Sequence, residues 1–355
     1  MDTTHLYAYK KEKFNQDKIK DMFSNLKSNY ILKKIFNNLQ KKKVLYIIRC
    51  NKQIQPRLNL DINDYKEYSE SFSSIEIEII PTKNKYGKFM RNIEDNEKDY
   101  FHIYFNNDKT DIKRTYNIKS DYARIINIRI SYQITNFSKL FYYCEYIESI
   151  NFKKFIRNNI NDMSFMFAGC SSLKEINLSN FNTKNVTDMS SMFSGCSSLT
   201  EINLSNFNTE NVDSIKNLFS GCSSLKEINF SSFNTNKVKD MSYLLCGCSL
   251  LKSINLSNFN TSNVIYMNYM FSRCSSLEDI NLSTFNTNKV MKMNGMFYGC
   301  SSLKEANISN FQINKYTDIN GMFFECLDSL KICIKKQFLN INEVAFEKNP
   351  IYIFC

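Results

Sequence analysis

The sequence predicts an α/β solenoid, a right-handed coil of repeated units with a parallel sheet on one side and short helices on the other. Three observations carry this expectation. Cys144, Cys170, Cys196, Cys222, Cys248, Cys274, Cys300 and Cys326 each follow the last by 26 residues, and a fixed period of this size marks stacked units. Within a unit the apolar spacing changes from a strand-like step to a helix-like one. Five of the eight glycines, Gly169, Gly195, Gly221, Gly247 and Gly299, stand immediately before a ladder cysteine, where a left-handed residue would end each helix.

Along the chain, residues 1–66 have helical texture, with Ile31, Leu32, Ile35, Phe36 and Leu39 on one face. Residues 67–133 alternate toward β, as in IEIEII at 75–80, YFHIYF at 100–105 and IINIRI at 125–130, and predict a small β-rich cap over the first unit, because a terminal repeat exposes an unpaired edge. Residues 134–330 hold the units. In the one beginning at Cys170, Leu173, Ile176 and Leu178 predict a short strand. SNFNT predicts a turn plugged by Phe181, and Val186, Met189, Met192 and Phe193 predict one face of a short helix. Cys, Leu, Ile, Leu, Phe, Val, Met, Met and Phe are the expected inward set. Residues 331–355 drift from the template and are expected to close the far end.

NVTDMSSMFSGCSSLTEINLSNFNT at 185–209 resembles the repeat of BspA-like leucine-rich-repeat proteins. The resemblance covers about 134–330 and implies a leucine-rich-repeat solenoid used for binding, with no catalytic residues to transfer; some members are displayed on surfaces as adhesins. YILKKIFNNLQKKKVLYIIRCNKQIQPRL at 30–58 resembles an F-box, though the leucine-proline start is missing and the chain holds no tryptophan. That resemblance implies a ubiquitin-ligase adaptor docked on Ile31, Leu32, Ile35, Phe36 and Leu39. The alternative reading of the same residues is a helical cap or hairpin.

Composition excludes more than it assigns. The net charge of +11 is concentrated in residues 1–124, which hold 25 Lys+Arg against 17 Asp+Glu. No zinc-finger spacing or stacking motif accompanies it, so nucleic acid is not an expected partner. Two histidines, no GxSxG and no phosphate-cradling glycine loop predict no enzyme, no cofactor and no metal site. The ladder cysteines are read as buried free thiols, and Cys246 as the exposed one. No apolar run approaches the ~18 residues a membrane span needs, and the lysine-rich start MDTTHLYAYKKEKF is unlike a secretory signal, so the expected location is cytoplasmic. Asn151, Asn177, Asn203, Asn229, Asn255, Asn281 and Asn307 form a second ladder facing outward on the strand side, either an amide stack or a polar docking strip. Where the units differ, Tyr243, Ile265, Tyr266, Tyr269, Met291 and Tyr298 fall on adjacent units and form the candidate protein-binding patch. The functional expectation is a non-enzymatic protein-interaction scaffold, with an F-box-type substrate receptor and a surface adhesin as alternatives.

Overall fold

A computed structural model describes residues 26, 28–38, 55–58, 66, 70, 73–131, 134–339 and 341–348. The chain divides into two compact units, Met1–Phe72 and Ser73–Cys355. In the first, α1 (Asn29–Asn38) and α2 (Gln55–Leu58) are described. Ser28 starts α1, its hydroxyl accepting from the Ile31 N–H at 3.4 Å. Arg57 Nε donates to Asn29 Oδ1 at 2.8 Å and so ties α2 to the start of α1.

The second unit opens with strands β1 (Ile75–Pro81), β2 (Gly87–Lys88), β3 (Phe101–Phe105), β4 (Tyr116–Asn117), β5 (Ile126–Ile130) and β6 (Ile147–Lys154). β7 (Glu175–Asn177), β8 (Asp279–Asn281), β9 (Glu305–Asn307) and α3 (Asp328–Gln337) follow. The main sheet runs β3-β5-β1-β6-β7. Each neighbouring pair among its first four strands is antiparallel, and only β6 and β7 pair in parallel. Alternation explains the sheet: Ile75, Ile77, Ile79, Ile126, Ile128 and Ile130 are buried on one face while Glu76 and Arg129 face out. The free edge of β3 is blocked locally, since the Ile103 N–H donates to Asp111 Oδ1 at 2.9 Å and Ile103 O accepts from Ile112 at 2.7 Å.

This is a mixed α/β chain with small sheets, and the expected right-handed leucine-rich-repeat solenoid, with a parallel sheet on one side and helices on the other, is not what it forms. Within the repeats only β6–β7 and β8–β9 pair as strands, and no described residue between 134 and 327 is α-helical. The reason lies in the backbone hydrogen bonds. The N–H groups of Met163, Phe165, Phe167 and Gly169 donate to the carbonyls of Asp188, Ser190, Met192 and Ser194, 25 residues ahead. Those of Met166, Ala168 and Cys170 donate three residues back. Alternate donors thus leave the segment, and an i→i−4 ladder cannot form. Phe165 at φ 56° and Gly169 at φ 77° are left-handed, a conformation that costs a non-glycine residue about 1–2 kcal/mol and never continues a helix. The glycine was read correctly as left-handed, but it closes a tight turn.

Units 26 residues apart nonetheless stack in register. Phe141, Phe167, Phe193 and Phe219 lie over one another with centroids 5.5, 5.3 and 5.3 Å apart. Of the expected inward set, Cys170, Leu173, Leu178, Phe181, Val186, Met189, Met192 and Phe193 are buried, whereas Ile176 remains partly exposed. Each thiol is also a donor: Cys222 Sγ gives its hydrogen to Phe193 O at 3.1 Å, and Cys170, Cys196, Cys248, Cys274, Cys300 and Cys326 repeat the bond 29 residues back. Cys246 is fully buried and disulfide-bonded, not the exposed thiol; Cys333 is exposed. At the far end, Val344 O and Ala345 O accept from Gly321 and Phe323, supplying the carbonyls a further unit would have brought.

Candidate functional site

The tyrosine patch is built on a column of left-handed residues: Phe165, Ser191, Asn217, Tyr243, Tyr269, Gly295 and Gly321 all have φ between 56° and 62°. The same backbone conformation recurs at this place in successive units. Tyr243 and Tyr269 stack there with centroids 4.9 Å apart and planes 25° apart. Beyond Tyr269 comes Gly295, where an added Cβ would lie 2.1 Å from Tyr269 Cε1. The tyrosine ring therefore fills the space that a side chain at 295 would take.

A second column runs beside it, joined by single parallel bridges from Asp162 to Asp188, Ser214, Asp240, Tyr266, Lys292 and Asp318. In most units an aspartate here accepts the N–H two residues on, as Asp240 does from Ser242 at 2.8 Å. Tyr266 and Lys292 replace it, and the Lys292 ammonium lies 6.0 Å from the centre of the Tyr266 ring. Between the columns, Ser242 Oγ donates to Asn268 Oδ1 at 2.8 Å, and the Asn268 side chain opposes the rise of the Tyr243 pKa. Asn294 opposes the rise of the Tyr269 pKa likewise. Burial pushes both phenols above the usual tyrosine range, and for Tyr269 nearby Asp318 adds to the shift.

Tyr243, Tyr266 and Tyr269 share one cleft of about 410 Å³ with Asp240, Asn268, Lys292, Asn294 and Asp318. Tyr266 is 37% exposed, whereas Tyr269 is buried. Ile265 lines a neighbouring recess with Lys237, Lys239 and Lys289. Met291, 57% exposed, lies next to it through its N–H on Ile265 O. Tyr298 is buried against Phe324 with centroids 5.3 Å apart and does not line the cleft. Asn268, Asn294 and Gly295 escaped sequence reasoning; their signal was the change from serine, and from a bulky left-handed residue, at fixed positions of the unit.

Of the residues assigned to an adaptor, Leu32 is fully buried, Ile31 is 48% exposed and Ile35 is partly buried. Phe36 lies in α1, and Leu39 lies outside the described residues. The strand asparagines form an amide pair at one place, Asn177 Nδ2 donating to Asn151 Oδ1 at 3.0 Å. Asn203, Asn229, Asn255, Asn281 and Asn307 instead accept the N–H two residues on and remain exposed.

The family model described as "Mycoplasma protein of unknown function, DUF285" matches residues 135–229 and 217–334, more than half of the chain. The chain belongs to the DUF285 family. The two DUF285 matches overlap inside the stacked units and together contain the whole tyrosine cleft. No curated protein and no solved structure matches the chain. Among the described residues no helix is long and apolar enough to cross a membrane.

Proposed function

We propose that this DUF285 chain is a non-catalytic protein-binding module whose tyrosine cleft receives a partner protein. The observation that carries this reading is the gathering of Tyr243, Tyr266 and Tyr269 from adjacent units into one cleft, with Met291 exposed nearby. Tyrosine supplies large contact area at small entropic cost, and interface hot spots are enriched in it. Stacking holds Tyr243 and Tyr269 in place before any partner arrives, which lowers the ordering penalty on binding.

The test is affinity purification of the tagged full chain beside a Tyr266→Ala, Met291→Ala double variant. Both side chains are exposed, so the fold is retained, and Tyr269 is left intact because it is buried. Loss of specific partners from the double variant, with their retention by a Tyr122→Ala control at an exposed position before the stacked units, is the expected result. Equal recovery of every partner by both variants would overturn the reading.

A further inference from the structure

The strand side of the second unit carries a groove of about 960 Å³ that the tyrosine cleft does not touch. Its floor begins on the antiparallel sheet, where Asn127, Glu78, Asn151 and Asn177 occupy one register row across β5, β1, β6 and β7. It continues along two further units as three parallel columns: Glu175, Glu201, Glu227; Ile176, Ile202, Ile228; and Asn177, Asn203, Asn229.

The columns differ in what they still lack. Ile202 is 8% exposed, Ile176 and Ile228 somewhat more, so an apolar strip lies between two polar ones. Glu78 is ion-paired with Lys153, and Lys174, the one cation lining the groove among the described residues, is paired with Glu148 at 3.0 Å. Glu175, Glu201 and Glu227 are exposed and have no ion-pair partner among the described residues. Among the described residues the lining therefore holds four carboxylates against one ammonium, on a chain whose net charge is +11. Carboxylates one unit apart repel one another, and a cation lying along them relieves that repulsion.

We propose that this groove binds an extended, lysine-bearing segment of a partner protein. Its ammonium groups would pair with Glu175, Glu201 and Glu227, its aliphatic stems would cover the isoleucine strip, and the asparagine amides would meet its backbone. Neighbouring units are spaced by 5.3 Å at their stacked phenylalanines. Same-face residues of an extended peptide recur every ~6.8 Å, a difference that flexible lysine stems absorb. The rest of the surface argues against an acidic segment here, because the excess of positive charge would draw it elsewhere.

The probe is a short fluorescein-labelled peptide of alternating lysine and alanine, titrated by anisotropy with the full chain. Binding that weakens as salt rises is expected, and a Glu175→Gln, Glu201→Gln, Glu227→Gln triple variant should bind about tenfold more weakly, the effect of three exposed ion pairs. Circular dichroism and the urea midpoint verify that the triple variant is folded. The Tyr266→Ala, Met291→Ala variant should bind the peptide as the wild type does, which separates this groove from the tyrosine cleft. Equal binding by the triple variant would overturn the proposal, as would equal weakening by a Glu210→Gln control outside the groove. So would a wild-type chain that self-associates in sedimentation and is released by the triple substitution, since the occupant would then be a second copy.

Discussion

Replacing Thr235 by valine should destabilise the second unit, although valine has the same shape and is the more apolar of the two. Thr235 is 2% exposed. Its hydroxyl donates to Asn260 O at 3.0 Å and accepts from the Asn260 N–H at 2.8 Å, so one side chain satisfies both backbone groups of a residue in the next unit. Thr183, Thr209 and Thr261 do the same for Asn208, Asn234 and Asn286. Each bond contributes about 1–1.5 kcal/mol net, and fully buried groups left unpaired would cost more. Both bonds here are only partly buried, so water relieves some of the loss. Two bonds lost, less about 0.8 kcal/mol for the added methyl, leaves about 1–2 kcal/mol of destabilisation. The assay is urea unfolding of the full chain followed by circular dichroism, with hydrogen exchange at the Asn260 amide. The valine variant should exchange faster at Asn260, and Thr235→Ser should keep that protection while losing only a buried methyl. A valine variant as stable as the wild type, with Asn260 still protected, would refute the reasoning.

Burial pushes the Cys222 and Cys274 thiols up to about 12. A folded value above the unfolded one of about 8.5 means that the stabilisation is complete below pH ~8.5 and is lost as pH rises toward 12. The urea midpoint should therefore fall between pH 8.5 and 10, less so in Cys222→Ala; an equal fall in both would remove the thiols as its cause. Gly295→Ala, at φ 61° and with the Tyr269 ring in its way, should displace that ring and lower stability by about 1–2 kcal/mol. The checks are the tyrosine near-ultraviolet signal and the urea midpoint, and an unchanged signal would mean that the ring does not occupy the glycine's space.

Some of the architecture is written into the residue pattern. The 26-residue spacing of the cysteines reappears as the spacing of the stacked rings, because identical side chains one unit apart meet across one contact. The burial of Cys170, Leu173, Phe193 and their counterparts was legible for the same reason: an apolar residue at a fixed place in every unit has to be covered. Glycine before cysteine correctly announced a left-handed residue. The period alone puts Tyr243, Tyr266 and Tyr269 on adjacent units.

What the spacing of Val186, Met189, Met192 and Phe193 could not say is where the backbone donors go. A short helix and a run of tight turns both bring such residues to one side, and the choice was made by the carbonyls of the next unit, which capture every second N–H. That is a tertiary event, and it removed the helices and with them the expected solenoid. The threonine of FNT has the pattern of a turn former, and its service to Asn208, Asn234 or Asn260 a unit away exists only between stacked units. Tyr298 left the patch because Phe324 packs on it, and Gly295 joined the site because Tyr269 needs its empty volume. The residue pattern by itself determined the period and the core. Which polar groups meet, and which side chains are left for a partner, was decided only when one unit was laid against the next, because those are contacts between residues 25 to 29 positions apart and no local pattern encodes them.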